Sequence, residues 1–394
     1  GETVEFHRFA IRAEGASSSY QKIHSLKFDW SGFELNLSNT VSAIGVIAVP
    51  IILAILLFFV VLSLYIARKM KNEEVVPGEY TLWSLLFPFR SSRPLLENLA
   101  SLFLTPLAWI IELFFALLLI AYILIDAYGV MGSSALPLFL VAGVFATAIP
   151  VIYAILAWFA DFYEREPLRF VVSLLCWGAF TTFACFIINT LLALLIAVVS
   201  YLFLGEQAAI VLSTIISALI IAPLVEESMK GLGVLALSFH HEMEGLFDGM
   251  LYGFIAGAGF AAVENWFYFA SAGAPASSGI LGWVFLIGYR STVNVFAHGM
   301  FTATTGGAIG FAKERGWKWA QLAVIPGVLL AMLLHFAFNL SAFVDGAINL
   351  AFNVPILVAN PLLMFITLPV YLGIAYYGLM LSKRRRESAQ KRNA

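Results

Sequence analysis

Three ionisable side chains interrupt a long apolar run in the middle of the chain. The segment "IIAPLVEESMKGLGVLAL", residues 220–237, carries Glu226, Glu227 and Lys230 among residues typical of a membrane helix. Their three- and four-residue spacings place the lysine on the same helix face as both carboxylates. Because each charge at the bilayer centre costs roughly 2.5–3.5 kcal/mol, we expect these groups to find partners or water in a functional site.

Further polar side chains occur in the three apolar runs that follow. They are Glu264 and Asn265, Arg290 and His298, and His335 and Asn339. The depth of a residue in the membrane can be estimated by counting from the predicted cytoplasmic end of its helix at about 1.5 Å per residue. By this count the depths of four residues differ by no more than about 8 Å: Glu226, Glu264, His298 and His335. The sequence therefore predicts that four helices bring carboxylates and imidazoles to one layer of the membrane.

This set of residue types can hydrolyse a peptide bond without a serine or cysteine nucleophile. One carboxylate of the Glu226/Glu227 pair can stay a base while the other is protonated or held by Lys230. A glutamate base can take a proton from water, and that water can attack a carbonyl carbon. The two histidines and Asn339 can then donate hydrogen bonds to the developing oxyanion. This hypothesis requires no cofactor.

A divalent metal such as zinc is the alternative, because carboxylates and imidazoles also bind such ions. The donors would come from Glu226, Glu227, Glu264, His298 and His335. The zinc-protease signature H-E-x-x-H is absent, and "HHEMEG" at 240–245 is predicted to be a solvated turn. Cys176 and Cys185 lie inside one apolar run, which argues against a disulfide framework or a zinc–thiolate site.

The composition predicts an integral membrane protein. The 394 residues are 61% hydrophobic and 12% charged, whereas soluble domains have about 45–50% apolar and 25% charged residues. A membrane helix needs about 20 apolar residues, so we predict an all-α, polytopic membrane helix bundle. Nine runs qualify, at 41–67, 101–125, 136–160, 170–199, 208–237, 246–270, 280–311, 320–343 and 355–381. Breaks are expected near Pro223 and the Gly279/Gly282 pair.

Basic residues alternate between the connecting segments, which predicts the orientation. Lys and Arg occur in the loops after the first, third and seventh runs and in the tail, and are absent from the intervening loops. The positive-inside rule therefore predicts an outside N-terminus and a cytoplasmic C-terminus. The net charge of −2 and the lack of a basic stripe outside the tail give no indication of nucleic-acid binding.

Four regions follow from this pattern. Residues 1–40 are predicted to be a short extracytoplasmic segment, strand-like or a linker. Residues 41–200 hold four spans and a cytoplasmic loop at 68–100, residues 201–382 hold a core of five spans, and 383–394 form a basic cytoplasmic tail. In the sixth run Gly249, Gly253, Gly257 and Ala261 recur every four residues, which predicts close approach of a neighbouring helix beside Glu264 and Asn265.

Four ordered motifs resemble those of the PrsW-type intramembrane proteases, which are related to the CAAX prenyl-protease and bacteriocin-processing superfamily. They are "EESMK", "FDGMLYGFIAGAGFAAVENWFY", "YRSTVNVFAHGMFTATTGGAIG" and "HFAFN", within about 208–343. The resemblance implies a membrane endopeptidase, in a prokaryotic cell membrane, that cleaves a membrane-tethered protein such as an anti-sigma factor.

The resemblance also implies roles for individual residues. Glu226 or Glu227 would activate water, Glu264 and His298 would complete the site, and His335 with Asn339 would stabilise the oxyanion. Lys230, Asn265 and Arg290 would be charge partners or substrate contacts. The motifs do not decide between a glutamate and a metal mechanism.

Two other classes of function remain open from the sequence. A transporter could relay protons through the buried glutamates and histidines. A membrane scaffold could retain the same residues without activity.

Overall fold

The computed structural model describes residues 31–72, 74, 75, 80, 135–270, 275–352 and 357–393. These residues form an all-helical membrane bundle, as predicted. Eight of its helical segments are long and apolar enough to cross a membrane. They correspond to eight of the nine predicted runs, and the remaining run, 101–125, lies outside the described residues.

Ten α-helices make up the described bundle. The N-terminal helices are α1 (Ser31–Met70), α2 (Ala135–Ala160) and α3 (Leu168–Leu204). The next are α4 (Glu206–Ile216), α5 (Ala222–Leu237), α6 (Leu246–Ala270) and α7 (Pro275–Tyr289). The last are α8 (Val295–Glu314), α9 (Val324–Phe352) and α10 (Ala359–Asn393).

The N-terminal segment requires one correction. Residues 1–40 were predicted to be strand-like or a linker, but α1 begins at Ser31, so this prediction is wrong for residues 31–40. Adding residues to an existing helix costs far less than nucleating one, so the apolar run after residue 41 can extend its helix backwards. Residues 1–30 lie outside the described part of the chain.

Helix α6 is the centre of the bundle. Its most apolar stretch is entirely buried inside the protein, whereas at most a third of the residues in the comparable stretches of the other described spans are buried. It packs most extensively against α8, and then against α3 and α2. The predicted glycine ridge makes this possible: Gly249, Gly253 and Gly257 face the α8 backbone so closely that an added methyl group would overlap it.

Two spans break their regular α-helical geometry just before residues of interest. A π-helical turn at Ser217–Ile221 joins α4 to α5, immediately before Pro223. A second π-helical turn at Arg290–Asn294 joins α7 to α8. Gly279 has a φ of +70° inside α7 and kinks that helix. The breaks expected near Pro223 and Gly279 therefore occur, and such π turns are common at functional sites.

Candidate active site

Glu227 is the most completely bonded carboxylate of the site. It lies on α5 with no solvent exposure. Its Oε1 is 2.5 Å from Lys230 Nζ and 2.9 Å from His335 Nδ1, and its Oε2 accepts a hydrogen bond from the Thr302 hydroxyl at 3.1 Å. An ionised carboxylate only accepts hydrogen bonds, so the His335 ring donates through Nδ1, and a neutral His335 ring has its lone pair on Nε2. Glu227 therefore orients His335.

His298 is held between two charged partners. Its Nε2 lies 3.0 Å from Glu264 Oε2, and its Nδ1 lies 3.2 Å from Lys230 Nζ. The His298 and His335 rings meet edge to face with centroids 5.1 Å apart. The Lys230 ammonium also sits 4.4 Å from the centre of the Phe260 ring. One lysine thus connects the α5 carboxylate to the α8 imidazole.

Arg290 and Asn265 fix the position of Glu264. The guanidinium lies 3.0 Å from Glu264 Oε2, and Asn294 donates to the same oxygen at 3.1 Å. Arg290 Nε donates to Asn265 Oδ1 at 2.9 Å, and Asn265 Nδ2 donates back to the Arg290 carbonyl at 3.3 Å. The guanidinium also stacks on Tyr268 at 3.7 Å. This network ties α6 to the π turn before α8.

Glu226 differs from its neighbour because one of its oxygens is unused. Asn189 on α3 donates to Glu226 Oε1 at 3.2 Å. Glu226 Oε2 is buried and accepts no hydrogen bond from any described residue. A buried acceptor without a partner costs about 1–3 kcal/mol, so this oxygen points to a ligand, a proton or a water in the working protein.

Glu226, His298 and His335 fit a divalent metal. One ligand atom from each of the three side chains lies within 4.8 Å of the others, and all three residues are buried. Two histidines and a glutamate, with a fourth position left open, are a known ligand set of catalytic zinc. The Glu227 contact to His335 is the support that metal-bound histidines usually receive. Both ring nitrogens of His298 already have a partner, Lys230 or Glu264. A bound ion would therefore replace one of these two contacts.

The structure places Asn339 differently from the other predicted residues. Its side-chain amide donates to the Ala218 carbonyl at 2.8 Å. This bond fastens α9 to the π turn before α5. Among the described contacts, the Asn339 amide therefore bonds to the junction of α4 and α5 and not to the glutamates and histidines of the site.

Three further residues belong to the network and were missed in the sequence. Asn189, Asn294 and Thr302 each donate a hydrogen bond to a glutamate of the cluster. Asn294 and Thr302 stand four residues before and after His298, so their position on the same helix face was an available signal. Asn189 is an isolated amide in the apolar run of α3, and only its contact with Glu226 distinguishes it.

Comparison with known proteins gives a consistent result. Residues 166–374 match the family model described as PrsW family intramembrane metalloprotease. Protease PrsW of Geobacillus kaustophilus is 28% identical over 194 residues, covering 47% of this chain and 73% of that protein. Protease PrsW of Clostridioides difficile is 28% identical over 188 residues, covering 47% of this chain and 72% of that protein. No solved structure matches significantly. Because the matched segment is more than half of the chain and contains the whole buried cluster around Glu227, this chain belongs to the PrsW protease family.

Proposed function

We propose that this multi-pass membrane protein is an endopeptidase that hydrolyses a peptide bond of a membrane-tethered protein by activated water. The observation that carries the proposal is the buried, unused Oε2 of Glu226 beside His298 and His335. In the mechanism without a metal, this oxygen takes the proton of the attacking water and returns it to the leaving amine nitrogen, a role worth about 10²–10⁴-fold in rate. In the metal mechanism, the same oxygen would be a metal ligand instead. Family membership favours this activity over the transporter and scaffold hypotheses.

Glu226, His298 and His335 would hold the metal that the family description names. Such an ion, when bound, polarises a carbonyl and makes water more acidic. The remaining groups act by position: Glu227 fixes the tautomer of His335, and Lys230 balances the charge of Glu227 inside the bundle. Asn189 fixes the rotation of the Glu226 carboxylate through Oε1.

Water and substrate would reach the cluster from the side of Glu264. The Glu264 side chain is 25% exposed, whereas those of Glu227 and Lys230 are not exposed at all. Arg290 would present its guanidinium to a substrate carbonyl at this opening, while Asn265 keeps it in place. We propose an anti-sigma-factor-like protein in a prokaryotic cell membrane as the substrate. For the chain itself we propose the predicted orientation, with the N-terminus outside and the C-terminus cytoplasmic, and the predicted regions, with residues 31–40 as part of α1.

The test is cleavage of a single-pass membrane substrate by the purified full chain in proteoliposomes. Glu226→Gln should lower the rate at least about 100-fold. The unfolding midpoint should change little, because the Asn189 contact to Oε1 can persist and Oε2 has no hydrogen bond to lose. The matched control is Glu206→Gln, an exposed carboxylate on α4, which should cleave at the wild-type rate.

Chelation separates the two mechanisms. Loss of cleavage after chelation and recovery with zinc would support the three-residue metal site. Undiminished cleavage in chelator would leave Glu226 as a base acting alone. Wild-type cleavage by Glu226→Gln would overturn both versions of the proposal.

A further inference from the structure

A second group of buried carboxylates lies far from the candidate active site. Asp161 and Glu166 lie in the loop between α2 and α3, and Asp248 lies in the first turn of α6. They are 1%, 1% and 2% exposed, respectively. The loop carries Arg165, so the positive-inside rule puts this group at the cytoplasmic face. Asp248 and Glu264 are 16 residues apart on α6, a separation of about 24 Å at 1.5 Å per residue.

Each carboxylate uses one oxygen to hold the local fold. Asp161 Oδ1 accepts hydrogen bonds from the backbone N–H groups of residues 163 and 164 at 3.3 and 3.1 Å. Asp248 Oδ2 accepts from the N–H groups of residues 244 and 245 at 2.9 and 2.7 Å. Glu166 Oε2 accepts a short hydrogen bond from the Tyr252 hydroxyl.

The other oxygen of each carboxylate is buried and unused. Asp161 Oδ2, Glu166 Oε1 and Asp248 Oδ1 accept no hydrogen bond from the described residues. One oxygen from each side chain lies within 4.8 Å of the other two. Oxygens that share a Ca²⁺ at about 2.3–2.6 Å are separated by no more than about 5 Å, so all three can bind one ion.

The nearby Arg385 and Lys313 side chains do not neutralise the three carboxylates. Arg385 on α10 lies 3.4 Å from Asp248 Oδ2, but it also pairs with Glu314. Lys313 donates instead to the carbonyl oxygens of residues 240 and 243 at 3.0 and 2.5 Å. As anions, these carboxylates need a further countercharge.

We propose that Asp161, Glu166 and Asp248 form a structural binding site for a hard divalent cation, Mg²⁺ or Ca²⁺, at the cytoplasmic face. Three carboxylate oxygens and no sulfur or imidazole donor match the preference of these ions over zinc. The bound ion would join the α2–α3 loop to the start of α6. It would thereby anchor the cytoplasmic end of the central helix α6 independently of the candidate active site.

The first experiment measures thermal unfolding of the full chain in detergent, first in chelator and then with millimolar Mg²⁺ or Ca²⁺. At 100-fold above its dissociation constant, the cation should stabilise the folded chain enough to raise the midpoint by about 3 °C. Asp161→Asn and Glu166→Gln should lose this shift, while in chelator they should be as stable as the wild type or more so, because they remove an unneutralised carboxylate. Glu387→Gln, an exposed carboxylate on α10, and Glu226→Gln should keep the full shift.

A second measurement uses Tb³⁺, whose emission is sensitised by a nearby indole. Trp158 Nε1 donates to the Glu166 carbonyl at 2.7 Å, so the indole lies beside the proposed site. Tb³⁺ should give sensitised emission that Mg²⁺ or Ca²⁺ displaces and that Trp158→Phe largely removes. The proposal is overturned if neither cation shifts the midpoint or displaces Tb³⁺. It is equally overturned if the shift persists in Asp161→Asn and Glu166→Gln.

Discussion

Replacing Gly257 with alanine tests whether the glycine ridge sets the position of His298. A Cβ atom at residue 257 would stand 2.6 Å from the His298 carbonyl carbon and 2.8 Å from Gly299 Cα. The His298 carbonyl oxygen would be closer still, and ordinary contact begins at 3.4 Å, so α6 and α8 must separate by more than about 0.8 Å. Overpacking of this kind costs about 1–3 kcal/mol of stability. A displacement of 1 Å at a catalytic group can cost about 100-fold in rate.

We therefore expect Gly257→Ala to remain folded and to cleave a membrane substrate about 10- to 100-fold more slowly than the wild type. Cleavage in proteoliposomes and the unfolding midpoint in detergent would be measured on the same preparation. Gly346→Ala is the matched control, because a Cβ atom there meets no described atom within 4 Å. Wild-type cleavage by Gly257→Ala would refute the idea that the close α6–α8 approach positions His298.

Two further changes test the contacts of Glu227. Glu227→Gln leaves Lys230 buried without its charge partner, so it should destabilise the protein by about 3–5 kcal/mol and abolish cleavage, as measured by thermal unfolding and product formation. Thr302→Val keeps the side-chain shape but removes the hydrogen bond to Glu227 Oε2, so it should cost about 1.5–3 kcal/mol in the same unfolding assay. A stability equal to that of the wild type in either variant would contradict the arrangement described for Glu227.

The sequence predicted the bundle and the meeting of its polar residues for a simple physical reason. Apolar runs of about 20 residues with few charges are typical of membrane helices, and charges inside them need partners or water. Glu227, Lys230 and His298 do meet: Lys230 Nζ lies 2.5 Å from Glu227 Oε1 and 3.2 Å from His298 Nδ1. The glycine spacing likewise predicted the close packing of α6, which the structure places against α8.

Other features depend on helix rotation, which residue spacing within one run does not determine. The residue spacing does not distinguish Glu226 from Glu227. The structure does, because Glu227 contacts His335 and Glu226 contacts Asn189. Asn339 follows the expected four-residue spacing from His335, yet its amide turns towards the Ala218 carbonyl. Asp161, Glu166 and Asp248 were not singled out, because their proximity depends on how a loop folds over α6.

The π turns before α5 and α8 have a consequence for sequence comparison within the family. Such a turn accommodates one extra residue without interrupting the helix, and an α-helix rotates by about 100° for each residue. A relative lacking that residue in Ser217–Ile221 would show a one-residue gap upstream of Glu226. Deleting one residue of Ser217–Ile221 from this chain would rotate α4 and α5 relative to each other by about 100°. Either the lipid-facing surface of α4 or the carboxylate pair of α5 would then point in a new direction.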